Sequence, residues 1–273
     1  MKVEQPRYRE VRPAPALAPY IQCHWNITAS AAPAFLNRVC PDGCADIIID
    51  LGGNLSVARR TDGSRTFAVG TMRCASRISL GGRIHLQGVR FRPGAAEHFF
   101  RVPMHELTDR MIPLLDLWSG AAGLESDVEE APTLLERIAR IEERLLDRRG
   151  PAPDPTPALR QAIRFIAHTA GRQPVRELER AVGWGARHLE RRFRDAVGVS
   201  PKLFSRVVRF RRAFALLRQP GPVSWPRLAA EAGYYDQAHL IREVKALAGV
   251  TPAALAGELH QVGFVQYDAD VPD

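Results

Sequence analysis

One pattern constrains this chain more than any other. A short amphipathic helix, a glycine, a second amphipathic helix and a Gly-Val-Ser/Thr-Pro stop occur twice, with the two glycines fifty residues apart. The first copy is VRELERAV from Val175, Gly183, ARHLERRFRDAV from Ala186, then Gly198-Val199-Ser200-Pro201. The second is LAAEA from Leu228, Gly233, DQAHLIREVKAL from Asp236, then Gly249-Val250-Thr251-Pro252. Glycine ends a helix because it alone enters the left-handed region without strain, and Ser/Thr-Pro starts the next one. Leu189 and Phe193, four apart, fall on the inner face of the second helix of the first copy. Its outer face then carries Arg187, Glu190, Arg191 and Arg194. In the second copy Leu240 and Val244 point inward, Asp236 is placed to cap, and Gln237, Ala238, Ile241 and Arg242 face out. Between the copies, LFSRVVRFRRAFALL puts Leu203, Val207, Phe210, Phe214 and Leu217 on one stripe, which predicts a long helix fixing the two units relative to each other.

Each copy has the grammar of a helix-turn-helix. The charge supports a polyanionic partner for that region. The chain carries a net +8, yet residues 158–257 hold eighteen Lys and Arg against seven Asp and Glu, so this segment is +11 and the remainder −3. Arg187 and Arg191 can each offer a bidentate fork to guanine and Gln237 can do the same for adenine, whereas Ala238 and Ile241 offer only apolar contact, for instance to thymine methyls. The first unit is therefore expected to read most of the sequence. Arg192, Lys202, Arg206, Arg209, Arg211, Arg212 and Lys245 are candidates for neutralising phosphates, with the alternative that some are merely solvated.

On these residues, from Leu159 to Leu255, the chain resembles the DNA-binding domain of the AraC/XylS family of regulators. The resemblance implies seven helices with two recognition helices in successive major grooves of double-stranded DNA, base-reading positions at Arg187, Glu190, Arg191, Gln237, Ala238, Ile241 and Arg242, and activation through RNA polymerase. Three residues depart from the family pattern: Gly185 where Ser usually caps, Glu243 for a small residue, and Val244 for Phe.

The stretch GPAPDPTP, residues 150–157, has four prolines in eight residues and reads as a linker. It separates an N-terminal domain over 1–149 from the DNA-binding domain over 158–257, with a tail over 258–273. Just ahead of it, Leu134, Ile138, Ile141 and Leu145 form an amphipathic stripe that could pack on its own domain or on the same helix of a second subunit in a homodimer. The first 125 residues hold short apolar runs at Ala45–Leu51, Arg65–Gly70 and Ile84–Phe91, separated by glycine-rich breaks such as Gly81-Gly82. Helical patterns are expected from about Gly94, including MHELTDRM. The fold class expected is α+β: a β-rich N-terminal domain with closing helices and an all-α C-terminal domain. The same resemblance implies that the first domain senses a small effector or makes a dimer, commonly as a cupin-type barrel. PDGCADIIIDL, FAVGT and VRFRPGAAEHFFRVP resemble an uncharacterised domain found ahead of such DNA-binding domains.

Cys40 and Cys44 flank a turn, with Cys23, His24 and Cys74 as possible neighbours. Such thiols could bind a metal or metalloid or sense redox state, but a second ligand pair at zinc-site spacing is missing, and most free cysteines are small buried hydrophobes. Trp25, Phe91, Trp118 and Arg90 or Arg92 could line an apolar pocket with a charged anchor. His85, His98 and His105 share no ligand spacing. No phosphate loop, GxSxG, HExxH or paired-carboxylate constellation is present, so no enzyme or cofactor is expected; a fused alkyl-acceptor repair activity is the alternative, though its four-cysteine arrangement is lacking. Without a signal peptide or an eighteen-residue apolar run, the expected location is the cytoplasm, with no membrane partner.

Overall fold

Two long antiparallel strands, β2 (Ile21–Val39) and β5 (Ser76–Phe91), form the spine of the N-terminal half. With β1 (Arg7–Val11), β3 (Asp46–Asp50), β4 (Thr66–Val69) and β6 (Met111–Pro113) they make a six-stranded sheet of order β1-β2-β5-β3-β4-β6, antiparallel in every pairing. The computed structural model describes residues 6–53, 63–149, 156–219 and 221–261. Side chains alternate across the sheet. From one face Ile47, Ile49, Val89 and Phe91 meet four helices, α1 (Glu97–Phe100), α2 (Leu114–Leu117), α3 (Leu124–Glu130) and α4 (Leu134–Arg149), around Phe99, Phe100, Ile141 and Leu145. From the other face Trp25, Ile27, Ile84 and Leu86 build a second, smaller cluster.

The sheet departs from the sequence reading in two places. The Gly81-Gly82 pair does not break the chain into separate strands: Ala32 pairs with Gly82 inside the β2–β5 ladder, between register shifts, so the glycines absorb an irregularity within one long strand pair. MHELTDRM is not a helix. It holds one 3-10 turn, Met104–Glu106, then Asp109 at φ 57, and its last residue opens β6. The stripe on α4 is used within the chain, with Ile138, Ile141 and Leu145 all buried.

Helix α4 ends at Arg149 and α5 begins at Pro157, whose ring suits a first helical turn. Residues 150–155 of the proline-rich stretch, and 262–273 of the expected tail, lie outside the described residues. Seven helices follow in the described residues: α5 (Pro157–His168), α6 (Val175–Val182), α7 (Ala186–Val197), α8 (Pro201–Leu217), α9 (Trp225–Ala232), α10 (Gln237–Ala248) and α11 (Pro252–Gln261). The long helix α8 serves two cores. Phe204 and Val208 join Leu178, Leu189 and Phe193 of the first unit, while Val207, Phe210, Phe214 and Leu217 join Leu228, Leu240 and Val244 of the second. One rigid helix thereby sets the separation of the two units.

Candidate nucleic-acid interface

Helix α7 buries Leu189, Phe193, Ala196 and Val197, a three-to-four-residue spacing that turns Arg187, Glu190, Arg191 and Arg194 to solvent. Gly185 leads in with extended backbone and no side-chain cap, as its departure from the family pattern implies. Trp184 packs edge-on against His188, centroids 4.8 Å apart. Helix α10 is better finished: Asp236 accepts from the backbone N–H of His239 at 2.6 Å, and Leu240, Val244, Leu247 and Ala248 are buried. Gln237, Ala238, Ile241, Arg242 and Lys245 lie on its exposed side. Every residue expected to meet bases is thus at the surface on one of two helices. Tyr235, which no motif in the sequence singles out, is 93% exposed immediately before α10. A bare aromatic beside a capping Asp was the available signal.

The basic residues divide by what they touch. Lys202, Arg212 and Lys245 are exposed. Arg192 is half-buried, 4.0 Å from Asp195. Arg206 gives its Nε to Glu243 at 2.8 Å, so the unusual acid on α10 is the partner that ties this helix to α8. Arg209 donates to the carbonyl of Gly171 and lies over the Tyr234 ring. Arg211 is half-buried and reaches the carbonyl of Asp42 at 3.4 Å. Arg206 and Arg209 therefore brace the helical domain from inside.

The C-termini of both outward helices are held by the N-terminal half. A helix leaves its last carbonyls unpaired, and here other elements supply the donors. Thr71 Oγ1 donates to the carbonyl of Val197 and Thr108 Oγ1 to that of Gly198, each at 2.6 Å. Gly198, at φ 93, also lets these threonines approach, since a Cβ there would lie 3.0 Å from Thr108 Oγ1. At the other helix, the Ala75 N–H donates to Leu247 and Arg38 Nη1 to Ala248, both at 2.7 Å. The same guanidinium grips Glu258 on α11 through two bonds of 2.7 and 2.9 Å. Thr71 and Ala75 belong to one loop, residues 70–75. That loop is itself pinned by Asp109, whose N–H donates to the Thr71 carbonyl at 3.1 Å and whose carboxylate accepts from the Arg73 N–H at 2.7 Å.

The other side of this loop lines a cavity of about 520 Å³. Its walls are largely apolar, among them Trp25, Ile27, Ile48, Ile78, Leu86 and Met72. At one end lie Asp42, Asp46 and Arg90, all buried. Arg90 Nε is 3.4 Å from Asp42 Oδ2 and 3.3 Å from Asp46 Oδ1, and Asp46 also accepts from the Trp25 indole at 2.8 Å. Two of the residues expected to line a pocket do so. Trp25 and Arg90 line it, whereas Phe91 and Trp118 sit in the core on the opposite face and Arg92 donates to the carbonyl of Ala18. Strand alternation separates Arg90 from its neighbours Phe91 and Val89.

The cysteines divide: Cys44 and Cys74 both line the cavity, while Cys40 and Cys23 are packed in two separate clusters. Cys40 is packed among Val207, Phe210 and other residues of the second helical core, while Cys44 lines the cavity with its Sγ 3.5 Å from Gln22 Oε1. Cys23 is buried and Cys74 exposed. Burial pushes the Cys23 and Cys40 thiols up to about 12 and the Cys44 thiol up as well. Among the described residues no three of His, Cys, Asp and Glu are grouped to hold a metal. His24 bonds Glu142 at 2.9 Å, His85 meets Arg137 at 3.0 Å and His105 faces Asp195 at 3.3 Å, which accounts for each by packing. No described helix is long and apolar enough to cross a membrane.

Two helix-turn-helix units with basic outward helices define a DNA-binding transcription regulator. Residues 178–257 match the family model described as a helix-turn-helix domain, and residues 9–113 match a domain of unknown function, DUF6597. The chain thus joins a segment that matches DUF6597 to one that matches a helix-turn-helix domain. No curated protein matches it. Solved structures similar to it include an apo single-residue variant of ToxT from Vibrio cholerae, with TM-score 0.46, 12% identity and coverage of 86% of this chain and 97% of that one. Unsaturated fatty acid bound wild-type ToxT from the same organism has TM-score 0.45, 11% identity and coverage of 87% and 99%. The xylose-binding transcription activator xylR has TM-score 0.34, 21% identity and coverage of 45% and 38%.

Proposed function

We propose that the chain is a sequence-specific, effector-controlled transcription activator that lays α7 and α10 in successive major grooves. Arg187, Glu190, Arg191 and Arg194 read bases from the first helix, and Gln237, Ala238, Ile241 and Arg242 from the second. In this reading residues 1–149 receive the effector in the cavity beside loop 70–75, residues 150–157 connect the halves, and residues 158–257 bind DNA. The observation that carries it is the dual role of that loop: it lines the cavity and donates hydrogen bonds to the last turns of both reading helices. An occupant that shifts the loop by a fraction of an ångström alters the relative setting of two helices that must match the groove repeat, about 34 Å per turn of duplex. Lys202 and Lys245, with Arg192, supply phosphate contacts.

Sequencing the genomic fragments that the full chain selects tests the reading. Enrichment of one bipartite motif with half-sites spaced about one helical turn supports it; binding without sequence preference overturns it. A reporter driven by the selected site then separates activation, through RNA polymerase, from repression. Size-exclusion chromatography with and without that site tests whether the chain acts as a homodimer.

A further inference from the structure

Two consecutive tyrosines lead into α10 and part ways. Tyr234 turns inward, 5% exposed, with its ring edge-on to His239 at 5.4 Å between centroids. Tyr235 turns outward and is 93% exposed, more than any other large apolar side chain among the described residues. At that exposure its ring packs on nothing within the chain, although the backbone beneath it is fixed from both sides. Ahead of it the Tyr234 N–H donates to the Ala229 carbonyl at 2.8 Å, and behind it Asp236 accepts from the His239 N–H at 2.6 Å. Its own N–H donates to His239 Nδ1 at 3.3 Å. Only the two side-chain torsions remain free, so settling the ring on a partner costs little entropy. The position is also where the second unit lacks an anchor. The N-terminal end of a groove-reading helix is the part that meets the duplex, and Tyr235 stands just ahead of Gln237, the first residue of α10. Ala238 and Ile241 bring neither charge nor hydrogen bond, Lys245 lies about two turns along the helix, and Arg206 is held by Glu243. The neighbouring Asp236 carboxylate is engaged by the helix's own N–H.

We infer that Tyr235 is a positioning residue for the second unit: its hydroxyl donates to a phosphate oxygen at the edge of the groove that α10 enters, and its ring lies against the adjoining deoxyribose. This rests on the reading of α10 as a groove helix. A neutral donor of this kind fixes the register of the helix on the duplex without reading a base. Because it carries no charge, it displaces no counterion, which separates it from every Lys or Arg on the same face.

The test uses the full chain and the site it selects from genomic fragments. Tyr235→Phe is expected to bind that site about fivefold more weakly, the scale of one hydrogen bond to a charged group at a wet surface, and Tyr235→Ala at least about tenfold more weakly. Both are expected to lose affinity equally for every sequence variant of the site, to keep the wild-type salt slope, unlike Lys202→Ala, and to melt as the wild type does. Single methylphosphonate substitutions in the duplex then locate the contact: at one phosphate beside the second half-site, the substitution costs the wild type more than it costs Tyr235→Phe. Wild-type affinity in Tyr235→Phe overturns the proposal, as does a methylphosphonate scan in which the two proteins lose alike at every phosphate. A change of preference at one base position also overturns it, because the ring then reads or stacks on a base. A lowered melting temperature in Tyr235→Phe does so too, because the hydroxyl then serves the fold. If the wild-type chain selects no site, the regulator reading falls and this proposal with it; if it selects one and Tyr235→Phe binds it equally well, this proposal alone falls.

Discussion

Thr71 Oγ1 lies 2.6 Å from the carbonyl of Val197, joining a loop that lines the N-terminal cavity to the last turn of the first reading helix. The bond is buried, so removing its donor leaves a carbonyl unsatisfied. Thr71→Val, which keeps the shape, is expected to destabilise the fold by about 1–2 kcal/mol in denaturant unfolding. Hydrogen exchange is expected to speed up at the α7 C-terminus and not in α6. Unchanged protection across α7 would show that the loop does not hold the helix.

Base reading and phosphate contact give different signatures. Arg191→Ala is expected to relax preference at one base position, worth roughly 1–3 kcal/mol, while leaving other positions alone. Lys202→Ala should weaken all sequences alike and lower the salt slope by about one. If the two variants gave the same profile in binding to a randomised site library, the assignment of the outer face of α7 would be wrong.

Arg206 is committed to Glu243. Arg206→Ala and Glu243→Ala are therefore expected to show coupling of about 0.5–1 kcal/mol in a double-mutant cycle of unfolding free energies, reduced by partial solvent screening. Additive losses would mean that the pair contributes nothing jointly.

Thiol accessibility should be uneven. Burial holds Cys23 and Cys40 near 12 and Cys44 raised, so these thiols stay protonated at neutral pH and unreactive, whereas Cys74 is exposed. Titration with an aromatic disulfide is expected to modify one thiol quickly in the native protein and all four in denaturant. Rapid modification of two or more native thiols would revive a thiol-sensing role for Cys40 and Cys44.

Burial raises Asp46 from the ordinary carboxylate value of 3.8 to about 6, against the opposing pull of Arg90. The native state then holds a proton that the unfolded chain has already released. This contribution to stability is present below about pH 4 and is lost as pH rises through about 6. Asp46→Asn should flatten the pH dependence of the unfolding free energy across that window. An unaltered profile would show that Asp46 titrates as an ordinary carboxylate.

The sequence by itself determined the helical half, because its information is local. Glycines at 183, 198, 233 and 249, all at positive φ, end helices wherever they occur, Asp236 and Ser200 cap the next ones, and four-residue spacing chooses the buried face. Only the tertiary structure decided the rest. Arg206 and Arg209 look like Lys202 in a sequence, yet Glu243 and the Gly171 carbonyl claim them across the fold. Phe91 and Arg90 are neighbours in the chain, but strand alternation sends one into the core and the other into the cavity. Cys40 and Cys44 straddle a turn and end in different environments. Nor does any local pattern disclose that Thr71 and Ala75 reach the ends of helices more than a hundred residues away, since such contacts depend on how a sheet and a helical domain meet.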